Sequence, residues 1–333
     1  VTRAVIYGAG SWGTAFAQIL ADAGAERVTL WARRPEIAQR IRDDHHNPDY
    51  LPEVELSPVV TATSDPQEAA AGAELVVLAV PSQSLRDNLG QWGADLPQDA
   101  PVVSLMKGIE LGTGLRMSQV IAAAGVEESR IVVVTGPNLS REIAARQPAA
   151  SVVASADHAA ADRVAAAAMT AYFRPYTQTD VVGAELGGAV KNVIALAVGM
   201  AEGLGYGDNT KSSLITRGLA ETARLGQALG ADPATLMGLA GVGDLIATCM
   251  SPLSRNHRVG VALGQGRSVE EILAVPHQTA EGVKSCRSVV ELGARHGVDL
   301  PICQGVTAVV DGAITPERLT GELMTRARKH ERH

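Results

Sequence analysis

Lys191 stands in Gly187-Gly-Ala-Val-Lys-Asn-Val-Ile-Ala-Leu196, where no other side chain carries charge. The pattern predicts an apolar helix over residues 185–203, with Lys191 near its start. A lysine there must snorkel to water or face a polar cavity that holds a partner. In a cavity, desolvation lowers its pKa toward the range useful for proton transfer. Asp244 follows a glycine turn in Gly241-Val-Gly-Asp244, at the predicted start of another helix. It is either the N-cap of that helix or the carboxylate that orients a lysine ammonium. Lys107 lies in Met106-Lys107-Gly108, just past an apolar run, as a solvated loop lysine or a cation at a strand tip. Ser254-Arg255-Asn256 sets a hydroxyl, a guanidinium and an amide in a row, able to hold a phosphate or to form a turn with a surface ion pair.

A cofactor site is written at the other end of the chain. Val5-Ile-Tyr-Gly-Ala-Gly-Ser-Trp-Gly-Thr14 runs a hydrophobic strand into Gly8, Gly10 and Gly13, spaced G-x-G-x-x-G. The three glycines serve a tight turn, close approach to a pyrophosphate and close packing of helix on strand. The helix over 14–23 then offers its unpaired N–H groups to an anion. A second strand, 27–31, completes a βαβ unit and hence a dinucleotide site. It ends in Ala32-Arg33-Arg34-Pro35, with no carboxylate before Glu36. Arg33 and Arg34 suit a ribose 2′-phosphate, which favours NADP(H) with NAD(H) use still open, although exposed arginine is also the residue's default.

Elements that position these groups alternate through the first half. Strands are predicted at 59–63, 74–80, 101–105, 131–135 and 151–154, with helices at 84–92, 115–124 and 157–172. The runs near 75, 102 and 131 are continuously apolar, as in parallel strands covered on both faces. The fold class is therefore α/β, a doubly wound, mostly parallel Rossmann-type sheet, followed by an all-α C-terminal domain. Helices are predicted at 185–203, 212–229, 268–274, 283–296 and 302–310. The domains are expected at 1–183, binding the dinucleotide, and 184–333, binding the substrate. In such sheets ligands lie outside the carboxyl ends of the strands, which here carry Pro81-Ser82, Lys107-Gly108 and Gly136-Pro137-Asn138.

The chain has 333 residues, enough for two domains, and 46% are apolar, enough for two cores. A formal charge of −7 argues against a nucleic-acid or acidic-membrane binder, so an anionic substrate needs a local cluster of cations. Cys249, Cys286 and Cys303 give no disulfide framework, and the histidines include no H-E-x-x-H. A reducing compartment, the cytoplasm, and no metal are expected. The strand beginning at residue 3 leaves no room for a signal peptide, and the apolar stretches read as short of a membrane span.

Taken in order, Gly8-Ala-Gly-Ser-Trp-Gly-Thr14, Lys107-Gly108, Gly136-Pro137, Gly187-Gly-Ala-Val-Lys-Asn192, Leu214-Ile-Thr-Arg-Gly-Leu-Ala-Glu221, Gly241-Val-Gly-Asp-Leu245 and Ser254-Arg-Asn256 form one series. That series, with the closing run 326–332, closely resembles the bacterial NAD(P)-dependent glycerol-3-phosphate dehydrogenases over nearly the whole chain. The resemblance implies reversible reduction of dihydroxyacetone phosphate to sn-glycerol 3-phosphate, a precursor for phospholipid synthesis, by a homodimer. It makes Lys191 the proton donor and acceptor, and Lys107 a contact to both substrate and cofactor. Gly136, Asn138, Asn192, Asp244, Thr248, Ser254, Arg255 and Asn256 fall on the substrate side. Gly8, Gly10, Ser11, Trp12, Gly13, Arg33, Arg34, Ser140 and Glu281 fall on the cofactor side, with Arg255 near both. Asn138 and Ser140 depart from the family's usual small hydroxyl and alanine. Two other readings stay open: a 3-hydroxyacid or 6-phosphogluconate type of dehydrogenase, and a non-catalytic NADP(H)-sensing regulator.

Overall fold

The computed structural model describes residues 2–274 and 280–326; most of the closing run 326–332 therefore lies outside the described residues. Among the described residues there are ten strands: β1 (Arg3–Tyr7), β2 (Arg27–Trp31), β3 (His46–Asn47), β4 (Leu51–Glu55), β5 (Val60–Thr63), β6 (Leu75–Leu78), β7 (Val102–Ser104), β8 (Ile131–Thr135), β9 (Ala149–Ala154) and β10 (Phe173–Gln178). Eight of them form one sheet in the order β10-β9-β8-β7-β6-β1-β2-β5. Every neighbouring pair is parallel except β8 and β9. Strand order reverses between β1 and β6, which is where a doubly wound sheet opens its crevice.

Alternation along the strands divides the core between the two faces. Ile6, Leu30, Val77, Val103 and Val132 pack on one side with Phe16 and Ile19 of the helix Ser11–Asp22. Val5, Tyr7, Val76, Leu78 and Val102 pack on the other with Leu89 and Trp92. Both faces are covered, so these strands read as unbroken apolar runs.

Among the differences from the sequence expectation, three change how the elements connect. The polar stretch around His45 and His46 folds into a small antiparallel hairpin, β3–β4, beside the main sheet. The helix expected to reach Tyr172 ends at Ala168, and β10 follows as an edge strand. Pro175 inside β10 masks it in the sequence, and an edge is where a strand tolerates proline. The helix expected at 185 begins at Val181, where the Asp180 side chain caps the N–H of Gly183. Lys191 is consequently midway along a helix of 23 residues, not near its start.

This helix, Val181–Gly203, is the axis of the helical half. Helices Asp208–Ala228, Asp244–Met250, Arg255–Gly264, Glu281–Arg295 and Pro301–Val310 surround it, and its Leu186–Met200 segment anchors their common apolar core. By length and apolarity it could cross a bilayer, contrary to the expectation of short apolar runs, but 89% of its most apolar window is buried within the protein. The second such stretch, Pro233–Met250, is interrupted by a turn and is 44% buried.

Glycines let the surrounding helices approach this axis closely. A Cβ on Gly199 would lie 2.2 Å from the His257 carbonyl oxygen, and one on Gly260 would lie 2.3 Å from that of Leu196. The same reciprocal contact recurs one turn on between Gly203 and Gly264. Helix separation follows the size of the residues at the contact, so these two G-x-x-x-G spacings bring the start of Arg255–Gly264 against the axis near Asn192. Gly260→Ala should lower stability in urea unfolding by about 1–3 kcal/mol. Gly321→Ala, in an exposed helix with open space around it, should instead be neutral or stabilising by up to about 1 kcal/mol. Equal effects of the two substitutions would refute the close-crossing account.

Candidate active site

The axis helix carries Lys191 into a dry junction between the two halves. The Lys191 side chain is 7% exposed, and its Nζ donates to Asp244 Oδ1 and, at 2.8 Å, to Thr248 Oγ1. Lys107, projecting past the end of β7, donates from Nζ to the other Asp244 oxygen, Oδ2, at 2.8 Å, and to the Gly136 carbonyl at 3.0 Å. One carboxylate, itself 1% exposed, is thus shared by two ammonium groups. Burial pushes the Lys191 pKa down to about 7; the Asp244 charge opposes that shift and the Lys107 charge adds to it. Asp244 is the first residue of its helix and not its N-cap, which is Gly243.

Backbone geometry explains why these side chains meet. A Cβ on Gly187 would fall 2.2 Å from the Ala240 carbonyl oxygen, and one on Gly188 would fall 3.3 Å from Lys107 Cγ. Adjacent glycines therefore admit the turn that delivers Asp244 and the stem of Lys107. That turn, Leu239–Gly243, is a single π-helical turn whose Gly241 has no room for a side chain. Such turns are frequent at functional sites.

A second polar chain fixes the Ser-Arg-Asn segment. Asn256 Nδ2 donates to Asn192 Oδ1 at 2.9 Å, and Asn256 Oδ1 accepts from the Gly282 N–H at 2.9 Å. Ser254 caps the helix Arg255–Gly264 by accepting from the His257 N–H. Arg255, in the first turn, is exposed and makes no hydrogen bond or ion pair with a described residue. A helix N-terminus with a free guanidinium is suited to an anion.

The glycine loop lies at the end of β1. Gly8 has φ +122°, and a Cβ there would lie 2.5 Å from the Ala79 carbonyl oxygen. Gly13 packs on Gly8, whereas a Cβ on Gly10 would meet nothing within 4 Å, so space opens above the loop. The helix Ser11–Asp22 begins with no side chain capping its amides. Ser11 donates to the Tyr50 carbonyl at 3.4 Å, and the buried Trp12 Nε1 has no partner among the described residues. Arg33 is exposed at the end of β2 and has no described partner. Arg34, expected to share its role, is instead paired with Asp49 of the hairpin.

The remaining predicted residues are dispersed. Asn138 turns its amide nitrogen to Ser151 Oγ at 3.1 Å, and its Oδ1 is buried without a partner among the described residues. Ser140 opens a short helix, Ser140–Ala144. Glu281 accepts from Ser82 Oγ at 2.7 Å, joining the loop after β6 to the helix Glu281–Arg295. Sequence reasoning missed Glu185, whose buried carboxylate binds the Ser118 N–H at 2.8 Å and Oγ at 2.6 Å and pairs with Arg116. Its signal was available, since a carboxylate two residues before a paired glycine in an apolar helix needs a partner.

Asp244→Asn would remove the carboxylate that pairs two amino groups out of water. Urea unfolding at pH 7 should then show a loss of about 3 kcal/mol. Because folded Lys191 sheds its proton well below the unfolded value of 10.5, the unfolded state binds more protons in between, and stability rises with pH there. Asp244 raises the folded pKa of Lys191, so in the variant this amine is neutral at lower pH than in the wild type, and the deficit of the variant should shrink as pH rises through about 7; a deficit independent of pH would count against the shared-carboxylate account.

Comparison with known proteins gives two family matches that between them take in most of the chain. Residues 3–161 match the NAD-dependent glycerol-3-phosphate dehydrogenase N-terminus and residues 180–321 match the C-terminus. A glycerol-3-phosphate dehydrogenase of the NAD(P)+ type from Streptomyces griseus is 61% identical, over 99% of this chain and 98% of its own. One from Thermobifida fusca is 56% identical, over 100% and 99%. The crystal structure of glycerol-3-phosphate dehydrogenase from Coxiella burnetii superposes with a TM-score of 0.92 at 32% identity, covering 97% of this chain and 99% of that one.

Proposed function

The chain belongs to the NAD-dependent glycerol-3-phosphate dehydrogenase family, and we propose that it interconverts dihydroxyacetone phosphate and sn-glycerol 3-phosphate with Lys191 as proton donor and acceptor. The observation that carries this role is the buried Lys191–Asp244–Lys107 cluster at the strand ends. It is an oxidoreductase that uses NAD(P). The domains are assigned to 1–183 and 184–333, a division close to the turn between β10 and the axis helix.

The residues of the glycine loop fit a dinucleotide. Open space above Gly10 and the uncapped helix start offer room and amide donors for a pyrophosphate. When bound, NAD(P)H supplies a hydride to the substrate carbonyl carbon. Lys191 donates its proton to the carbonyl oxygen, and its charge, with that of Lys107, stabilises the alkoxide as it forms. Asp244 and Thr248 hold the Lys191 ammonium to one direction. Lys107 also steadies the Gly136 carbonyl. The substrate phosphate binds Arg255 and the helix start below it, with Ser254, Asn256, Asn192 and Asn138 shaping the pocket. Binding energy from that non-reacting phosphate orients the carbonyl. Glu281 and Ser140 border the cofactor side.

NADP(H) is the preferred cofactor in this reading, with Arg33 alone holding the 2′-phosphate because Asp49 engages Arg34. The product serves phospholipid synthesis in the cytoplasm, where the buried free thiols of Cys249, Cys286 and Cys303 stay reduced. A homodimer would cover the exposed Met237, Ile246 and Met250.

Lys191→Ala should lower turnover of dihydroxyacetone phosphate by roughly a hundred- to ten-thousand-fold while NADPH binding, followed by fluorescence, stays near the wild-type level. Retained turnover would sink the assignment. Reduction needs the protonated amine, so kcat/KM for reduction should fall as pH rises through about 7, and for oxidation it should rise over the same interval. A pair of profiles without this opposition would exclude Lys191 as the titrating group. Arg33→Ala should raise the Kd for NADPH far more than that for NADH; equal losses would remove Arg33 from the 2′-phosphate.

A further inference from the structure

The β3–β4 hairpin is fastened to one face of the cofactor-loop helix. Ser11 Oγ reaches the Tyr50 carbonyl, Thr14 Oγ1 meets Asn47, and Gln18 Oε1 accepts from the N–H of Ser57 just past the hairpin. Positions 11, 14 and 18 lie on one stripe of a helix. Leu51 and Val54 of the hairpin close the same face against Trp12 and Ala15.

Asn47 is the innermost of these contacts and is fully buried, at 0% exposure. Its Nδ2 donates to the Ala9 carbonyl at 2.9 Å and to Thr14 Oγ1 at 2.8 Å. A carbonyl oxygen can only accept, so the amide must present its nitrogen to the loop. Its Oδ1 is buried with no partner among the described residues. Leaving a buried acceptor unpaired is costly, and a shape-matched apolar residue would hold a hairpin without that cost.

The peptide between Ala9 and Gly10 is a rigid plane with C=O and N–H on opposite sides. Holding the Ala9 oxygen on the hairpin side therefore turns the Gly10 N–H to the other side. Thr14 ties the first helical turn to the same amide, so loop and helix start keep one relative orientation.

We propose that Asn47 is a positioning residue for the dinucleotide pyrophosphate, aiming the Gly10 N–H by its grip on the Ala9 carbonyl. This rests on the reading that the glycine loop receives the pyrophosphate. Asn47 touches neither the lysine cluster nor Arg33, so it acts on NADPH and NADH alike and leaves the triose phosphate untouched.

Steady-state kinetics of Asn47→Ala tests this, with melting temperatures recorded alongside. Asn47→Asp is the second variant, which keeps the shape but turns an oxygen on the Ala9 carbonyl. KM for both dinucleotides should rise on the order of ten-fold by the same factor, while KM for dihydroxyacetone phosphate and kcat at saturating cofactor hold within about two-fold. A lower melting temperature with dinucleotide KM values unchanged would overturn the proposal and leave Asn47 a fastener of the hairpin. A loss confined to kcat, or to NADPH alone, would overturn it as well. Ser11→Glu, which sets a carboxylate at the loop, separates this from the underlying reading. If Ser11→Glu abolishes dinucleotide binding and Asn47 variants do not weaken it, the proposal alone fails. If Ser11→Glu binds dinucleotide normally, the loop reading fails and the proposal with it.

Discussion

Two ammonium groups and one carboxylate occupy a pocket almost closed to water, and that triad constrains everything around it. Desolvating a charge is expensive, and attraction repays it only where geometry is tight and remaining donors are paired. Asp244 uses both oxygens, one for each lysine, while Thr248 and the Gly136 carbonyl take further protons. The triad keeps a net positive charge and stands in a chain whose overall charge is −7. The positive charge at this junction is set by local arrangement, against the sign of the whole molecule.

Such a triad can form only if backbones come unusually close, and the axis helix is built for that. Its glycines occur where another chain segment crosses: Gly187 at the π-turn before Asp244, Gly188 at the Lys107 stem, Gly199 and Gly203 at the helix beginning with Arg255. Each glycine costs helix propensity, which the buried apolar face of Val181–Gly203 offsets through packing. A chain of amides, Asn192 to Asn256 to Gly282, then ties the helix Arg255–Gly264 to Glu281–Arg295. The geometry of the lysine cluster and the packing of the core are here one and the same set of contacts.

Sequence reading reached the parts of this plan that local pattern encodes. Continuous apolar strands, the G-x-G-x-x-G loop and a lone lysine in an apolar helix each carry their physics in a few neighbouring residues. The pairing of Lys191 with Asp244 stood as one of two options because 53 residues separate them. Apart from Glu185, what escaped lacks a local signature. The β3–β4 hairpin contains Pro52 and charged residues and is short, so nothing in its pattern separates it from a loop. Asn47 is a polar residue whose burial depends on distant segments. Arg33 and Arg34 look equivalent in sequence, and only the position of Asp49 makes them differ.

Balanced electrostatics also bear on reversibility. A lysine with its ordinary pKa would hold its proton too firmly to act as a base near neutrality, and one buried without Asp244 would lose it too readily to act as an acid. Desolvation and Lys107 push in one direction and Asp244 in the other, with the result near 7. An acid–base group poised there can give a proton to a forming alkoxide and take one from an alcohol at the same pH. Sharing Asp244 between two lysines sets that poise, because moving either ammonium changes how much of the carboxylate the other retains. Lys107 therefore contributes to the proton affinity of Lys191 even without direct contact to the reacting oxygen, and the glycines that admit its stem are part of the same adjustment.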